Sequence, residues 1–392
     1  MKTVALVFGG ESAEREVSIV SAGQIAAFAG DDVSLKCVLV DEKLNMFLVD
    51  GVDPSACAKF DFSKKCARPV VFCDGGLFLK KNGKLKFLCK IDCAIVCCHG
   101  GVGEDGRLAA HLELCGVPCS CGTPAALAVC MDKVLSKVAF CDLNIPVVDG
   151  FWFLKSEWDE NRERCFASVE EFGFPVVVKP ARQGSSVGVS FVENAEEIES
   201  AVELALLYDD KILIERGLFG FRELNVGVFS DGESFADVSE IEEPERSGLL
   251  LSFSDKYFGG CGSKNCGCGV KNCGAKLGCF GVKFGQKMAG EKTVNGSMNS
   301  LKRKFPADLD EKIASKLKFL AKKAVLGLGL KGSVRLDFLM FDGEIFLNEI
   351  NAVPGSLAYY FWGDGEKFFD RLVDLSSKPV FKCNAPIAKF LK

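Results

Sequence analysis

Two β-rich runs near the C-terminal end, at residues 334–341 and 345–350, constrain this chain more than any other part of its sequence. They are joined by Asp342-Gly343, and both residue types readily adopt the positive φ angles that a tight two-residue hairpin turn requires. The sequence therefore predicts two antiparallel strands that lie side by side.

Polar side chains interrupt both of these apolar strands. Because side chains alternate between the two faces of a strand, Arg335 and Asp337 leave one face of the first strand. Glu349 and Asn351 share a face of the second. Carboxylate and amide oxygens are hard ligands of the kind that Mg²⁺ prefers. A solvated polar face is the alternative, but the apolar surroundings favour a metal site, with Arg335 beside it to stabilise developing negative charge.

Length and charge restrict the class of protein. A chain of 392 residues can form two or three domains with separate cores, and a formal net charge of −5 gives no reason to expect nucleic-acid binding. The apolar run at residues 1–8 is short and soon meets Glu11 and Glu14, so it predicts a buried first strand instead of a signal peptide. No apolar run reaches membrane-spanning length, and we expect a cytoplasmic protein without a membrane partner.

The twenty cysteines do not predict a disulfide framework. Most of them stand where valine or alanine would serve, as in the apolar run at residues 91–98. Unpaired cysteine behaves as a small hydrophobic residue, and disulfides are rare in reducing compartments. We therefore expect most of these side chains to be core residues.

Glycine-rich loops follow two of the predicted strands. The strand at 3–8 leads into Gly9-Gly10 and then a helix at 19–28, which is the beginning of an open α/β sheet whose ligands gather at the carboxyl ends of strands. The strand at 91–98 leads into residues 99–106, where four glycines in eight residues let the backbone approach a ligand closely. His99, one of only two histidines, lies in that loop.

A third segment predicts phosphate binding. Lys179 ends an apolar strand and is followed by a Gly/Ser loop at 184–188, whose N–H and hydroxyl groups suit a phosphate. An ordinary hairpin turn is the alternative, and Lys179 favours the phosphate. A single helical pattern covers residues 123–140, and Glu215 ends a short strand, where a surface position is the simplest interpretation.

Together these segments resemble the D-alanine-D-alanine ligases of the ATP-grasp superfamily. Five motifs occur in that family's order: Gly-Gly-x-Ser-Ala-Glu-x-Glu-Val-Ser at 9–18, His-Gly-x-x-Gly-Glu-Asp-Gly at 99–106, Met-Asp-Lys at 131–133, Gly-Ser-Ser-Val-Gly at 184–188, and Asn-Glu-Ile-Asn-x-x-Pro-Gly at 348–355. The resemblance covers residues 1–257 and 303–376. It implies an α/β protein with an N-terminal open-sheet domain, residues 1–121, before a two-subdomain ATP-grasp fold, residues 122–217 and 218–392.

The resemblance implies a homodimeric ligase that joins two D-alanines through an acyl phosphate for peptidoglycan synthesis. It would use ATP and two Mg²⁺ ions, for which Mn²⁺ can substitute. Two alternatives remain open at this point. One is the same chemistry with D-serine or D-lactate as acceptor, and the other is a non-catalytic nucleotide-binding or metal-binding homologue.

Roles for individual residues also follow from the resemblance. ATP would be bound by Lys137, Lys179, Ser186, Glu215, Leu218, Glu223 and Lys256, and the metal ions by Asp337, Glu349 and Asn351. Glu14 would bind the ammonium group of the first D-alanine within a network that includes Ser185 and Tyr257. His99 would lie near the carboxylate of that substrate. Arg335 and the Gly355 N–H would stabilise the tetrahedral oxyanion.

The chain departs from the family's pattern in two places. By offset from Gly355, Tyr360 and Phe361 stand where the family contacts the second substrate, so the acceptor pocket is open to question. Residues 258–304 replace a lid of some ten residues and carry eight Lys and one Arg against the single acid Glu291. Three interpretations of this insertion remain open: a solvated segment, a basic lid that attracts ATP, or a metal or redox module. The module would be built on Cys261, Cys266, Cys268, Cys273 and Cys279, although their spacing fits a zinc site poorly.

Overall fold

The computed structural model describes residues 1–50, 67–245 and 303–378, and within them three sheets are flanked by helices. The N-terminal sheet has the strand order β6-β5-β4-β3-β2-β1-β7. Its strands are β1 (Lys2–Gly9), β2 (Val33–Val40), β3 (Met46–Val49), β4 (Arg68–Cys73), β5 (Gly76–Lys81), β6 (Lys84–Lys90) and β7 (Cys93–Val96). Strand β1 lies between β2 and β7 and is parallel to both, as the predicted open α/β sheet requires.

Two glycine loops lie at the carboxyl ends of β1 and β7. The loop after β1 leads into helix α1 (Arg15–Ala26), and the loop after β7 passes through a 3₁₀ turn, Gly101–Gly103, into helix α2 (Arg107–Leu114). Because β1 and β7 are neighbouring parallel strands, both loops lie at the same edge of the sheet.

The central sheet is antiparallel, with the order β10-β9-β11-β8. Its strands are β8 (Gly150–Leu154), β9 (Val176–Pro180), β10 (Ser190–Val192) and β11 (Lys211–Arg216). The helices of this region are α3 (Pro124–Met131), α4 (Lys133–Asp142), α5 (Lys155–Glu160), α6 (Arg162–Phe172) and α7 (Ile198–Leu206).

The single helix predicted over residues 123–140 is wrong, because α3 and α4 are separate helices. Asp132 lies between them with φ −92° and ψ 106°, outside the helical region. Its carboxylate accepts the N–H groups of Val134 and Leu135 at 3.0 and 3.2 Å, and so caps the beginning of α4. Both segments consist largely of residues that favour helices, whereas the cap is a local backbone event that such a pattern does not reveal.

The C-terminal sheet has the order β14-β13-β12-β15-β16. Its strands are β12 (Arg222–Asp231), β13 (Ala236–Pro244), β14 (Arg303–Lys304), β15 (Lys331–Phe341) and β16 (Glu344–Asn351). Helices α8 (Glu311–Gly327) and α9 (Gly365–Ser376) and a 3₁₀ segment, Gly355–Phe361, complete the region. The predicted hairpin is confirmed, since β15 and β16 pair antiparallel and Asp342 and Gly343 have φ of 54° and 77°.

The hydrophobic core is shared between the first and third sheets. One contiguous cluster of buried side chains includes Leu6 of the N-terminal sheet and Val334 of the C-terminal sheet, whereas the central sheet has a cluster of its own around Trp158. Eight of the twelve cysteines in the described ranges are buried, among them Cys37 and Cys93, and none of the twelve forms a disulfide. The prediction that most cysteines are core residues is confirmed for this part of the chain, whereas Cys141 is exposed. No helix in those ranges has both the length and the apolarity to cross a bilayer.

Gly332 of the C-terminal sheet lies in close contact with the segment that follows helix α2 and runs beside β7. Its φ is +91°, and an added Cβ would lie 2.0 Å from the Ser120 carbonyl oxygen. We expect Gly332→Ala to lower the thermal unfolding midpoint strongly, because overpacking costs about 1–3 kcal/mol in addition to about 1–2 kcal/mol for the left-handed backbone. Gly343→Ala is the matched control, because φ there is +77° and an added Cβ would meet no atom of the described segments within 4 Å. Equal shifts for the two variants would contradict this account.

Candidate active site

A cleft between the central and C-terminal sheets, here called the intersheet cleft, brings together most of the residues predicted to bind ATP. These residues come from β9, the following loop, β11, β12, β15 and β16. Of the predicted ATP-binding residues, those that line the cleft are Lys179, Ser186, Glu215, Leu218 and Glu223, and the predicted metal ligands Asp337 and Glu349 line it as well. Sequence positions more than a hundred residues apart therefore form one surface, as the resemblance implies.

Glu215 is a buried residue of the intersheet cleft and not the surface residue that its position at a strand end suggested. It is 4% exposed, and Lys137 and Lys179 both form ion pairs with its carboxylate, the Lys137 Nζ at 2.5 Å. Burial raises the pKa of Glu215, but the two lysines outweigh it and hold that pKa below its usual range. The two ammonium groups against one carboxylate leave a net positive charge, which suits a polyphosphate.

Lys179 gives a direct test of this charge arrangement. We expect Lys179→Met to raise the KM for ATP about 10–100-fold, because a hydrogen bond to a charged group contributes roughly 1.5–3 kcal/mol. Lys155→Met is the matched control: Lys155 forms an exposed ion pair with Asp159 at 2.5 Å in the same region, and such pairs contribute little. Steady-state kinetics with varied ATP measures both, and an unchanged KM for Lys179→Met would be the contrary result.

The hairpin places its polar side chains on one face, as predicted. Asp337 is opposite Glu349 and Arg335 is opposite Asn351 in the strand register. Asp337 is 2% exposed, and it accepts two hydrogen bonds from the Arg335 guanidinium, at 2.7 and 2.8 Å. Asn351 donates a third hydrogen bond to the same carboxylate at 3.0 Å.

This donor set fits Mg²⁺ only in the presence of further oxygen ligands. Two carboxylates and one amide converge, and no group of three or more His, Cys, Asp or Glu side chains in the described ranges could hold a metal by itself. Mg²⁺ is commonly held by one or two carboxylates together with substrate phosphates and water. Asp337 and Glu349 line the cleft that also holds Lys179, so a phosphate bound there would complete the coordination.

A second, smaller cavity, here called the inner cavity, lies beside the hairpin and holds the residues predicted to bind amino-acid substrate. It is lined by residues of the N-terminal glycine loops, the Gly/Ser loop and the C-terminal sheet. They include Glu14, His99, Glu104, Ser185, Arg335, Asn351 and Gly355. Ser185 donates a hydrogen bond to Glu14, which confirms the predicted contact between these two residues.

Glu104 was missed by the sequence reasoning, although it belongs to the motif at 99–106. Its carboxylate accepts the Gly100 N–H at 2.9 Å and lines the inner cavity. Burial, and secondly the negative charge of Glu14, raise the pKa of Glu104 to about 8. Glu14 and Glu104 both offer carboxyl oxygens that can accept hydrogen bonds from an ammonium group at this cavity. The sequence signal that points to Glu104 is its place in the Gly-rich motif at 99–106.

His99 is buried, and both of its ring nitrogens have partners within the protein. Nε2 lies 2.7 Å from the Ser21 Oγ, and Nδ1 lies 2.7 Å from the Val353 carbonyl oxygen. Burial lowers the pKa of His99, which favours the neutral ring. Neither nitrogen is therefore directed at a substrate carboxylate in this arrangement, and the predicted role of His99 beside the first D-alanine remains a prediction.

Tyr360 and Phe361, predicted from their offset to meet the acceptor, pack beside the C-terminal sheet and do not appear among the residues that line the inner cavity. Phe361 packs against Gly227 and against the Phe305 ring, whose centroid is 5.8 Å away. Tyr360 lies under the Arg303 guanidinium at 4.5 Å, and its buried hydroxyl has no hydrogen-bond partner among the residues that the structure describes. Burial raises the pKa of that hydroxyl.

Some predicted residues lie outside the described ranges. They are Lys256, Tyr257 and the five cysteines of the insertion, Cys261, Cys266, Cys268, Cys273 and Cys279. Of the insertion at 258–304, only residues 303 and 304 are described, as strand β14.

The second and third sheets enclose a cationic cleft, and the adjoining hairpin carries oxygen donors. Together with the N-terminal sheet, they define an ATP-grasp fold preceded by an N-terminal α/β domain. The chain belongs to the D-ala D-ala ligase family: the family model described as the D-ala D-ala ligase N-terminus matches residues 3–122, and that described as the C-terminus matches residues 140–272 and 291–361.

Individual relatives agree with this assignment. A D-alanine--D-alanine ligase of Thermosipho melanesiensis is 31% identical over 381 residues, which are 95% of this chain and 92% of the relative. One of Chlorobaculum tepidum is 32% identical over 375 residues, 90% and 88% of the two chains. The crystal structure of D-Alanine-D-Alanine Ligase from Helicobacter pylori superposes with a TM-score of 0.73 at 25% identity, covering 97% of this chain and 100% of that one.

The VanG D-Ala:D-Ser Ligase of Enterococcus faecalis has the same fold. Its structure also gives a TM-score of 0.73, at 22% identity, with 96% of this chain and 99% of that chain covered. At this identity the likeness concerns the fold alone.

Proposed function

We propose that this chain joins two D-alanines in an ATP-dependent reaction that proceeds through an acyl phosphate and releases ADP and phosphate. One observation carries the proposal: Asp337 lines the intersheet cleft, and Arg335, hydrogen-bonded to it, lines the inner cavity. The nucleotide phosphates and the amino acid would therefore meet at this buried pair. Family membership and D-alanine ligases at about 30% identity support the same conclusion.

In the first step, the carboxylate of one D-alanine attacks the γ-phosphorus of ATP, and the bond to ADP breaks. Lys137 and Lys179 would exchange their ion pairs with Glu215 for contacts with the phosphates, which offsets the repulsion between two anions. Glu14 would hold the ammonium group of this substrate, with Ser185 bonded to it.

In the second step, the amine of the other D-alanine attacks the acyl carbon and phosphate leaves. The charge that develops on the tetrahedral oxygen would be stabilised by Arg335 and the Gly355 N–H, both at the inner cavity. Lys256 and Tyr257 would complete the site from outside the described residues. Water has to be kept from the acyl phosphate, which would otherwise be hydrolysed.

The divalent metal use typical of the family would depend on Asp337, Glu349 and Asn351. From the family resemblance we propose two Mg²⁺ ions, replaceable by Mn²⁺. The two carboxylates and one amide would leave several coordination positions for phosphate oxygens. The bound ions would offset the charge of the phosphates during transfer.

The acceptor is tested by product analysis. D-Alanine is proposed for both positions, with D-serine or D-lactate as the alternative because Tyr360 and Phe361 replace the family's usual acceptor contacts. Incubation with Mg·ATP, D-alanine and each second substrate in turn, followed by mass spectrometry, identifies the product. D-Alanyl-D-alanine as the dominant product supports the proposal, whereas a mixed product in preference to it would favour the alternative.

ATP turnover in the absence of any amino acid would instead favour the non-catalytic nucleotide-binding alternative.

We further propose domain limits at residues 1–121, 122–217 and 218–392, supported by the separate core of the central sheet. A cytoplasmic homodimer is proposed from the family resemblance. Light scattering on the purified protein tests the assembly, and a monomer at micromolar concentration would contradict it.

A further inference from the structure

The chain after Gly355 has an unusual backbone. Ser356, Leu357 and Ala358 have φ of 53°, 49° and 54°, so three consecutive residues with side chains adopt the left-handed conformation. Each such residue is costly because its Cβ approaches the following carbonyl oxygen. A conformation of this kind persists only where the surrounding structure holds it in place.

Two side chains of helix α1 hold this segment from the N-terminal domain. The Ser21 Oγ accepts the Ser356 N–H at 2.8 Å, and Gln24 accepts a hydrogen bond from the Ser356 hydroxyl. Positions 21 and 24 are one helical turn apart and therefore face the same side of α1. The C-terminal sheet adds one bond, from the Ser333 hydroxyl to the Leu357 carbonyl at 2.7 Å.

The hydrogen bonds around Ser21 have a defined direction. The Val353 carbonyl can only accept, so the proton of the neutral His99 ring is on Nδ1 and Nε2 is an acceptor. The Ser21 hydroxyl must then donate to Nε2, which leaves its lone pairs for the Ser356 N–H. One continuous chain of bonds thus connects Val353, before Pro354-Gly355, with Ser356, after it.

We propose that Ser21 is a positioning residue that fixes the direction of the Gly355 N–H. Ser21 is 1% exposed and is not among the residues that line the inner cavity, so it acts through the two ends of the Val353–Ser356 turn. This inference rests on the proposed function, in which Gly355 stabilises the oxyanion of the second step. It assigns to the N-terminal helix a part in peptide-bond formation that is separate from ATP binding.

Three variants test the inference. Ser21→Ala removes the hydroxyl, and Gln24→Met removes the acceptor of the Ser356 hydroxyl. Ser18→Ala is the matched control, because Ser18 is a fully buried serine of the same helix whose hydroxyl accepts the Gly9 N–H at 2.7 Å instead of bonding to this turn. The readouts are the dipeptide rate, the KM for ATP and the ratio of phosphate released to dipeptide formed.

We expect Ser21→Ala to lower the dipeptide rate by about 10²-fold, the order of loss that misplacement by an ångström causes, with an unchanged KM for ATP. The phosphate-to-dipeptide ratio should rise above one, because acyl phosphate that reacts slowly with the amine is lost to water. Gln24→Met should change the ratio in the same direction and less strongly, and it serves as the test if Ser21→Ala does not fold. Ser18→Ala should keep the ratio at one.

A folded Ser21→Ala protein with a normal dipeptide rate and a normal phosphate-to-dipeptide ratio would overturn the inference. So would a lower rate if the phosphate-to-dipeptide ratios of Ser21→Ala and Gln24→Met both equalled that of Ser18→Ala. Either result leaves the proposed function standing if the unchanged protein forms dipeptide. Absence of dipeptide from the unchanged protein would instead count against the proposed function itself.

Discussion

Replacement of Arg335 by methionine is expected to reduce dipeptide formation by about 10²–10³-fold, the usual effect of losing one donor to a developing oxyanion. Arg335 is 5% exposed and its planar guanidinium is held by two hydrogen bonds to Asp337, so its position is set before substrate arrives. A preorganised donor in a dry site needs no reorganisation as charge develops.

Arg335→Lys is the informative companion of that variant. Lysine retains the positive charge but lacks the planar fork that bonds both Asp337 oxygens, so we expect an intermediate rate. Steady-state rates of dipeptide formation, with circular dichroism to check folding, measure both variants. If the Arg335→Met protein folds and its turnover is nearly unchanged, Arg335 does not stabilise the oxyanion.

Replacement of Asp337 by asparagine has the second large expected effect. The change is nearly isosteric but removes the most buried negative charge of the predicted metal site, where Asp337 is 2% exposed. Metal ions stabilise transferring phosphoryl groups by several kcal/mol, so we expect turnover to fall roughly 10²–10⁴-fold. Calorimetric titration with ADP at increasing Mg²⁺ should also show a weaker dependence of nucleotide affinity on the metal.

Asp237→Asn is the matched control for Asp337→Asn. Asp237 lies in the same sheet, on strand β13, where it forms a partly exposed ion pair with Arg371 at 2.8 Å. Surface pairs of this kind contribute little, so turnover should remain unchanged. If Asp337→Asn keeps the Mg²⁺ dependence of the unchanged protein, the metal is held elsewhere.

The sequence predicts much of the fold because its strongest signals are local. The Asp342-Gly343 turn and the alternation along the two strands suffice to place Arg335 and Asp337 on one face, and the register confirms it. The glycine loops after β1 and β7 similarly identify one edge of the N-terminal sheet. Turn chemistry and periodicity act over a few residues, where the chain itself carries the information.

What the sequence could not predict depends on contacts between distant segments. Glu215 is a buried partner of two lysines because β11 lies between β8 and β9, a topology that no short pattern encodes. His99 bonds to Ser21 and Val353, and the latter is 254 positions away. Counting residues from Gly355 assumes a regular backbone, but the next three residues adopt the left-handed conformation. Tyr360 lies under Arg303 and is not among the residues that line the inner cavity.

The most direct test of the account is the stoichiometry of phosphate release from the purified protein with Mg·ATP, measured with and without D-alanine and alongside product mass. The account predicts negligible release from ATP alone, release that requires D-alanine, and one D-alanyl-D-alanine for each phosphate. Phosphate release that does not depend on D-alanine would contradict the ligase assignment, and so would D-alanine-dependent release without dipeptide formation.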